Sequence, residues 1–133
     1  MYIRRLAEML FRPILIIALS AVTIAAAGDV RNVTPAQAQK MISRSHPIVL
    51  DVRTPGEYAE GHLRNAILLD WQNPLFRSIV STYSQKKTYI VYCRSGRRSN
   101  DAAALMQSMG FKHVYNMSGG IDRWKHEHRR IVR

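Results

Sequence analysis

The stretch 88-TYIVYCRSGRRS-99 opens with an apolar, β-rich run, Tyr89-Ile90-Val91-Tyr92, and then presents Cys93, the only cysteine of the chain. Arg94, Ser95, Gly96, Arg97, Arg98 and Ser99 follow, and a helical pattern begins at once: Asn100, Asp101, three alanines, Leu105, Met106 and Met109, closed by Gly110. The sequence predicts a buried strand, a tight loop and a helix that starts at Ser99. A loop that curls around a strand end turns free backbone N–H groups, and the positive end of the helix dipole, toward the sulfur. Arg94, Arg97 and Arg98 add positive charge. Such surroundings lower a thiol pKa from about 8.5 to about 3.5–7.5, so the sulfur is expected as a thiolate at neutral pH and the loop as a cradle for an anion. Most cysteines are inert, buried small hydrophobes, but an inert cysteine does not require Arg-Ser-Gly-Arg-Arg directly after it. Gly96 suits a positive φ or a close backbone approach. Cys93 is therefore the candidate nucleophile, and Arg94, Ser95, Gly96, Arg97, Arg98 and Ser99 are the candidate anion-binding residues.

Outward from this stretch, strands and helices alternate. Thr34 is placed to cap a helix from Pro35 to about Ser43. Ile48-Val49-Leu50-Asp51-Val52 reads as a short buried strand. Thr54-Pro55-Gly56-Glu57 starts a helical turn with a capping-box pattern that Gly61 ends. Ala66 to Leu69 is a further short strand, and Asn73-Pro74 caps a helix through about Tyr83. Phe111 to Met117 is another strand, and Gly119-Gly120 opens a last helix carrying Trp124. Repeated β–α units of this length predict an α/β domain, with a central parallel sheet flanked by helices on both faces. In such sheets the reactive loop belongs at the carboxyl end of a strand, where Cys93 falls.

The chain of 133 residues has room for one domain. Its start resembles an export signal: Arg4, Arg5 and Arg12 against Glu8, then the uncharged run of 16 residues PILIIALSAVTIAAAG, with Ala25-Ala26-Ala27 as a small-residue cleavage end. Residues 1–27 are expected to be a signal peptide, leaving residues 28–133 as an exported, periplasmic domain. The alternative is an uncleaved anchor that associates the chain with a membrane through its N-terminus, although the run falls short of the ~20 residues of a spanning helix. The formal net charge is +11, and removing a leader of net +2 leaves +9. No nucleic-acid motif accompanies this charge, and small anions suit a basic surface. The basic run Lys125 to Arg133 reads as a solvated helix end and tail. His126 and His128, two apart, do not share a helical face, and no metal site is expected. A lone cysteine excludes an intrachain disulfide, so any thiol that resolves Cys93 must come from another molecule.

Asp51-Val52-Arg53 with Glu57-Tyr58-Ala59-Glu60-Gly61-His62 resembles the first motif of the rhodanese family, D-V-R…E-Y-x-x-G-H. Cys93-Arg94-Ser95-Gly96-Arg97-Arg98 is similar to that family's C-R-x-G-x-R active loop. Gly119-Gly120-Ile121 with Trp124 is similar to its closing G-G-[IV]-x-x-W. The motifs occur in family order across residues 51–124 and are jointly specific. One departure is Leu63-Arg64-Asn65-Ala66 where the family often has Ile-Pro-Gly-Ala after the histidine. Asn65 tolerates the left-handed conformation that glycine would take, so the turn is expected to be kept. Asp51, Arg53, Glu57 and His62 are read as structural groups whose buried polar atoms pair with one another, and stay outside the catalytic set.

The resemblance implies a rhodanese-like domain, here expected as a monomer, with sulfurtransferase chemistry. A Cys93 thiolate takes the outer sulfur of a small anionic donor such as thiosulfate, sulfite leaves, and a persulfide passes its terminal sulfur to cyanide or a thiol. Loop amides, Arg94 and Arg98 are expected to hold the charge, in two half-reactions that need no cofactor. Loop length tests the enzyme alternative. Rhodanese-related phosphatases use C-x5-R, whereas Arg98 gives C-x4-R here, and the smaller cradle suits a sulfane sulfur. A cysteine-dependent phosphatase or arsenate reductase is thus the weaker reading. A sulfur carrier or a non-catalytic binding module is the alternative from another class.

Overall fold

The computed structural model describes residues 28–133; the expected leader, 1–27, lies outside the described residues. Ten elements follow one another: β1 (Arg31–Val33), α1 (Pro35–Ser45), β2 (Ile48–Asp51), α2 (Pro55–Glu60), β3 (Ile67–Leu68), α3 (Phe76–Val80), β4 (Thr88–Tyr92), α4 (Arg97–Ser108), β5 (His113–Met117) and α5 (Gly120–His126). The five strands form one sheet in the order β1-β5-β4-β2-β3. Every pairing is parallel, as expected for β–α units.

Strand β4 lies at the middle of the sheet, and Tyr89 to Tyr92 are fully buried. Side chains alternate across a strand. Tyr89, Val91 and Cys93 therefore face one core, with Leu50, Phe76, Ala102, Ala103, Met106 and Val114. Ile90 and Tyr92 face the other, with Ala38, Val49, Leu63, Met117, Ile121 and Trp124. Helices α3 and α4 cover the first face and α1 and α5 the second. The same alternation puts the sulfur under α4.

Helix α1 keeps its Thr34 cap, with Gln37 completing a capping box. Helix α2 keeps the Thr54–Glu57 box and ends at Gly61. Asn65 takes the left-handed conformation at φ 62°, and Ala66 N–H closes the turn onto Leu63 O at 3.0 Å.

Several expectations are corrected. Helix α3 starts at Phe76 rather than after Pro74, because Asn73 Oδ1 accepts from Leu75 N–H at 2.9 Å and makes a separate turn first. It stops at Val80, where the Ser81 and Thr82 hydroxyls donate to the Ser78 and Ile79 carbonyls. Phe111 and Lys112 precede β5: Phe111 N–H returns to Met106 O and Lys112 N–H to Gln85 O. Strand β1 is an addition. It is a three-residue edge strand with only Val33 buried, too short and polar to show periodicity, and is held by its register against Tyr115–Met117. The C-terminal run is docked and not a free tail. Trp124 Nε1–H donates to Arg130 O at 3.0 Å, and Val132 forms an antiparallel bridge with His62.

Candidate active site

Strand β4 ends at Tyr92, and the next four residues lead the chain into α4. The turn is tighter than the sequence predicts. Helix α4 begins at Arg97, not Ser99, with Gly96 as its N-cap at φ 101°. Arg97, Arg98 and Ser99 thus sit in the first helical turn, and only Cys93 to Gly96 form the loop. A Cβ at Gly96 would approach Gly119 N to 3.1 Å as well as strain that φ. The early start brings amides to the sulfur: Gly96 N–H donates to Cys93 Sγ at 3.1 Å.

The loop backbone is held from the opposite side by α5. Ile121 N–H donates to Cys93 O at 2.9 Å and Asp122 N–H to Arg94 O at 3.1 Å. This contact requires Gly120, at φ 56°, where any Cβ would overlap the Cys93 and Arg94 carbonyls. The Gly119-Gly120 pair and the cysteine loop are therefore two halves of one junction. The α5 amides bind the loop's carbonyls, leaving the α4 amides for the sulfur.

Ser99 is fully buried, and its Oγ lies 3.3 Å from Sγ. Burial pushes the Cys93 thiol up. The Ser99 hydroxyl, with the amides of Ser99, Gly96 and Ser95, pulls it down by more, and the net direction is below an ordinary thiol. Local hydrogen bonds to the charged form thus stabilise it relative to an ordinary thiol.

The arginines are arranged differently from what the loop sequence predicts. The Arg98 guanidinium makes a two-pronged ion pair with the Glu57 carboxylate, at 2.9 and 2.8 Å, and its charge is already partnered. Arg94 is exposed and reaches Asp122 at 3.4 Å. Arg97 is exposed, as is Ser95. Glu57 accordingly has two tasks: it completes the α2 capping box through Thr54 and ties α2 to α4 beside the cysteine loop. Arg98 holds the carboxyl pKa down to about 2 from an ordinary 4.5, against the upward push of burial, with help from the Thr54 N–H and hydroxyl. A polar cleft of about 100 Å³ opens here, with Arg53, Glu57, Arg94, Asp122 and Lys125 in its walls.

Asp51, Arg53 and His62 hold structure, as the sequence implies. Arg53 binds both Asp51 oxygens, at 2.7–3.1 Å, and donates to Gly61 O at 2.7 Å. Tyr92 O–H donates to Asp51 at 2.6 Å and accepts from Leu63 N–H. His62 stacks on Tyr58, ring centroids 3.7 Å apart. Among the described residues, no group of three or more His, Cys, Asp or Glu side chains could hold a metal.

Two residues at the site escape a reading of the sequence alone. Asn116 on β5 is buried, with its Oδ1 2.6 Å from Ser99 Oγ. Its Nδ2 donates to Asn32 Oδ1 on β1 at 2.9 Å and to Gly96 O at 3.3 Å. A signal exists in His113-Val114-Tyr115-Asn116-Met117: Asn116 shares the inward face of Val114, where an amide needs partners. Asn32 carries none, because β1 is not legible along the chain.

Comparison with known proteins bears on the family and the fold. A family model described as a rhodanese-like domain matches residues 34–127. The thiosulfate sulfurtransferase GlpE of Stutzerimonas stutzeri is 31% identical over 98 residues, covering 74% of this chain and 87% of that protein. The tRNA uridine(34) hydroxylase of Buchnera aphidicola is 35% identical over 98 residues, but the chain spans only 30% of that protein's length. A crystal structure of a rhodanese-related protein from Thermoplasma volcanium superposes with a TM-score of 0.69 at 29% identity, covering 77% of this chain and 97% of that one. A cysteine at the end of the central strand, an amide-lined loop closed by Gly119-Gly120, and a match across residues 34–127 have one common explanation: this chain belongs to the rhodanese-like family.

Proposed function

We propose that this protein is a sulfurtransferase that moves a sulfane sulfur from thiosulfate, or a similar small anionic donor, to cyanide or a thiol through a persulfide on Cys93. The observation that carries the reading is the sulfur itself. Sγ ends a buried central strand, receives the Gly96 N–H at 3.1 Å and is drawn below an ordinary thiol by its hydrogen bonds. Sulfurtransferases that are 31% and 33% identical to this chain support the reaction class.

In the first half-reaction the Cys93 thiolate attacks the outer sulfur of thiosulfate. A bond forms between Sγ and that sulfur, the donor's own S–S bond breaks, and sulfite leaves with the electron pair. The negative charge of Cys–S–S⁻ then rests on the outer sulfur, for which the loop amides supply the hydrogen-bond donors. In the second half-reaction an acceptor thiolate or cyanide attacks the outer sulfur, and Cys93 leaves as the thiolate. Arg94 and Arg97, both exposed, attract the donor, and Arg98 acts from its pair with Glu57. The test is direct. Incubation with thiosulfate, desalting and intact mass measurement should show an added ~32 Da on Cys93. The Cys93→Ser variant should stay folded, gain no mass and produce no thiocyanate from cyanide. Transfer at the wild-type rate by that variant excludes the mechanism. A persulfide that forms but is not discharged by cyanide marks a sulfur carrier.

We further propose that residues 1–27 direct export and that the mature chain starts at Gly28. The Arg4-Arg5 start, the uncharged run and Ala25-Ala26-Ala27 support this. Among the described residues no helix is long and apolar enough to cross a membrane. N-terminal sequencing of protein released from the periplasm tests it, and a full-length chain found only in membranes would favour the anchor.

A further inference from the structure

Ser99 has one hydroxyl proton and two neighbours that want it. Asn116 Oδ1 lies 2.6 Å from Ser99 Oγ, and Cys93 Sγ lies 3.3 Å away. Two independent acceptors fix which end of the Asn116 amide faces Ser99. Gly96 O, which can only accept, lies 3.3 Å from Asn116 Nδ2. Asn32 Oδ1 accepts from the same Nδ2 at 2.9 Å, while Asn32 Nδ2 is itself committed to Val30 O at 3.2 Å. Reversing the Asn116 amide would set oxygen against Gly96 O and against Asn32 Oδ1. Oδ1 therefore faces Ser99, and an amide oxygen facing a hydroxyl can only accept. The Ser99 proton then belongs to Asn116 while Cys93 is a neutral thiol.

We propose that Asn116 is a positioning residue that competes with the Cys93 sulfur for the Ser99 proton, keeping the thiolate reactive and favouring the persulfide. In the thiolate, the charge on Sγ draws the proton toward sulfur, and the buried Asn116 oxygen loses its donor; alternatively the proton stays and Sγ faces a serine lone pair. Either arrangement leaves the thiolate less stabilised than Ser99 alone would make it. This matters for chemistry, because a thiolate that is too well stabilised is a poor nucleophile. The second consequence rests on the sulfurtransferase reading above. Once the outer sulfur is attached, the charge has moved off Sγ. The inner sulfur no longer competes, and the Ser99 proton returns to Asn116. The competition thus penalises the empty thiolate and not the loaded persulfide.

The test uses the full chain and does not depend on sulfur transfer. Iodoacetamide alkylation of Cys93 is followed against pH for wild type, Asn116→Leu, Asn116→Asp and each combined with Ser99→Ala, with thermal melts alongside. The other charged groups around the loop are unchanged in all variants: Arg98 on α4 with its partner Glu57 on α2, Arg94 with Asp122 on α5, and Asp51 with Arg53 at the end of β2. Asn116→Leu conserves shape and removes the competitor. The alkylation midpoint should fall by about one pH unit, as expected for one hydrogen bond redirected to a charged acceptor. In the Ser99→Ala background the same change should leave the midpoint where Ser99→Ala puts it. A residue that only braces the loop gives the opposite sign, since loosening the amides raises the midpoint. A rise in Asn116→Leu, no change, or an equal fall with Ser99 absent overturns the proposal. If Asn116→Leu does not fold, Asn116→Asp, which is isosteric, carries the test. Its carboxylate holds the proton harder, so the midpoint should rise more with Ser99 present than without it, and equal rises overturn the proposal. Alkylation proceeds whether or not thiosulfate is the donor, so failure here is distinguishable from failure of the sulfurtransferase reading.

Discussion

Replacing Glu57 by glutamine removes one charge from the side-chain contact that ties α2 to α4 at the cysteine loop, and its consequence for stability has a definite sign. In the folded protein the Glu57 carboxyl is held at about 2 against an ordinary 4.5. A group whose pKa falls on folding adds stability that is fully present above its unfolded pKa and is lost as pH drops through its folded pKa. The Glu57–Arg98 contribution is therefore complete above about pH 4.5 and disappears toward about pH 2. Taken whole, a displacement of about 2.5 pH units corresponds to ~3.4 kcal/mol at about 1.36 kcal/mol per unit. Both side chains are about a quarter exposed, 24% for Arg98 and 25% for Glu57, and water screens the pair, so about 1–2 kcal/mol is expected. The amide oxygen of the glutamine would still accept from Thr54 N–H and keep the capping box, which isolates the lost charge from any loss of the helix start. For a domain of this size the melting temperature should fall by about 5–10 °C at pH 7, and the gap to wild type should narrow to about half or less by pH 3 and close toward about pH 2. Circular dichroism melts of both proteins at pH 7, 5, 4 and 3 measure this. Equal melting temperatures at pH 7, or a gap that persists unchanged at pH 3, would refute the reasoning.

Other expectations follow from the same geometry. Gly120→Ala places a Cβ into the Cys93 and Arg94 carbonyls at a left-handed φ of 56°; it should cost about 2–4 kcal/mol and most of the transfer rate, seen in melts and thiocyanate production. Asp51→Ala leaves the buried Arg53 guanidinium without its carboxylate and should destabilise by about 3–5 kcal/mol in urea unfolding. Arg98→Ala should slow thiosulfate:cyanide transfer about tenfold or more, whereas Arg97→Ala, exposed to solvent, should change it less than about twofold; equal rates for wild type and Arg98→Ala would mean that the loop amides alone hold the anion.

The sequence by itself determined the elements whose signals are local. Hydrophobic continuity along Tyr89-Ile90-Val91-Tyr92 marks a strand buried on both faces because neighbouring side chains must enter different cores. Thr34-Pro35 and Thr54-Pro55-Gly56-Glu57 state helix starts because a cap is made within four residues. The order of those units implies the parallel sheet, and the strand–loop–helix around Cys93 implies a sulfur at a strand's carboxyl end. What only the tertiary structure decided are pairings between residues far apart in sequence. Arg98 turns to Glu57, 41 positions away, and so does not aim freely at an anion. Gly120 serves the Cys93 loop because α5 is packed on its carbonyls, a requirement that no spacing within 119–124 expresses. Asn116 and Asn32 meet only because β5 and β1 are neighbours in register, 84 positions apart. Local hydrogen-bond and burial rules act over a few residues and can be read along the chain. The orientation of a charge or an amide at the site is set by whichever partner the packed fold brings within about 3 Å, and that choice exists only once the sheet has formed.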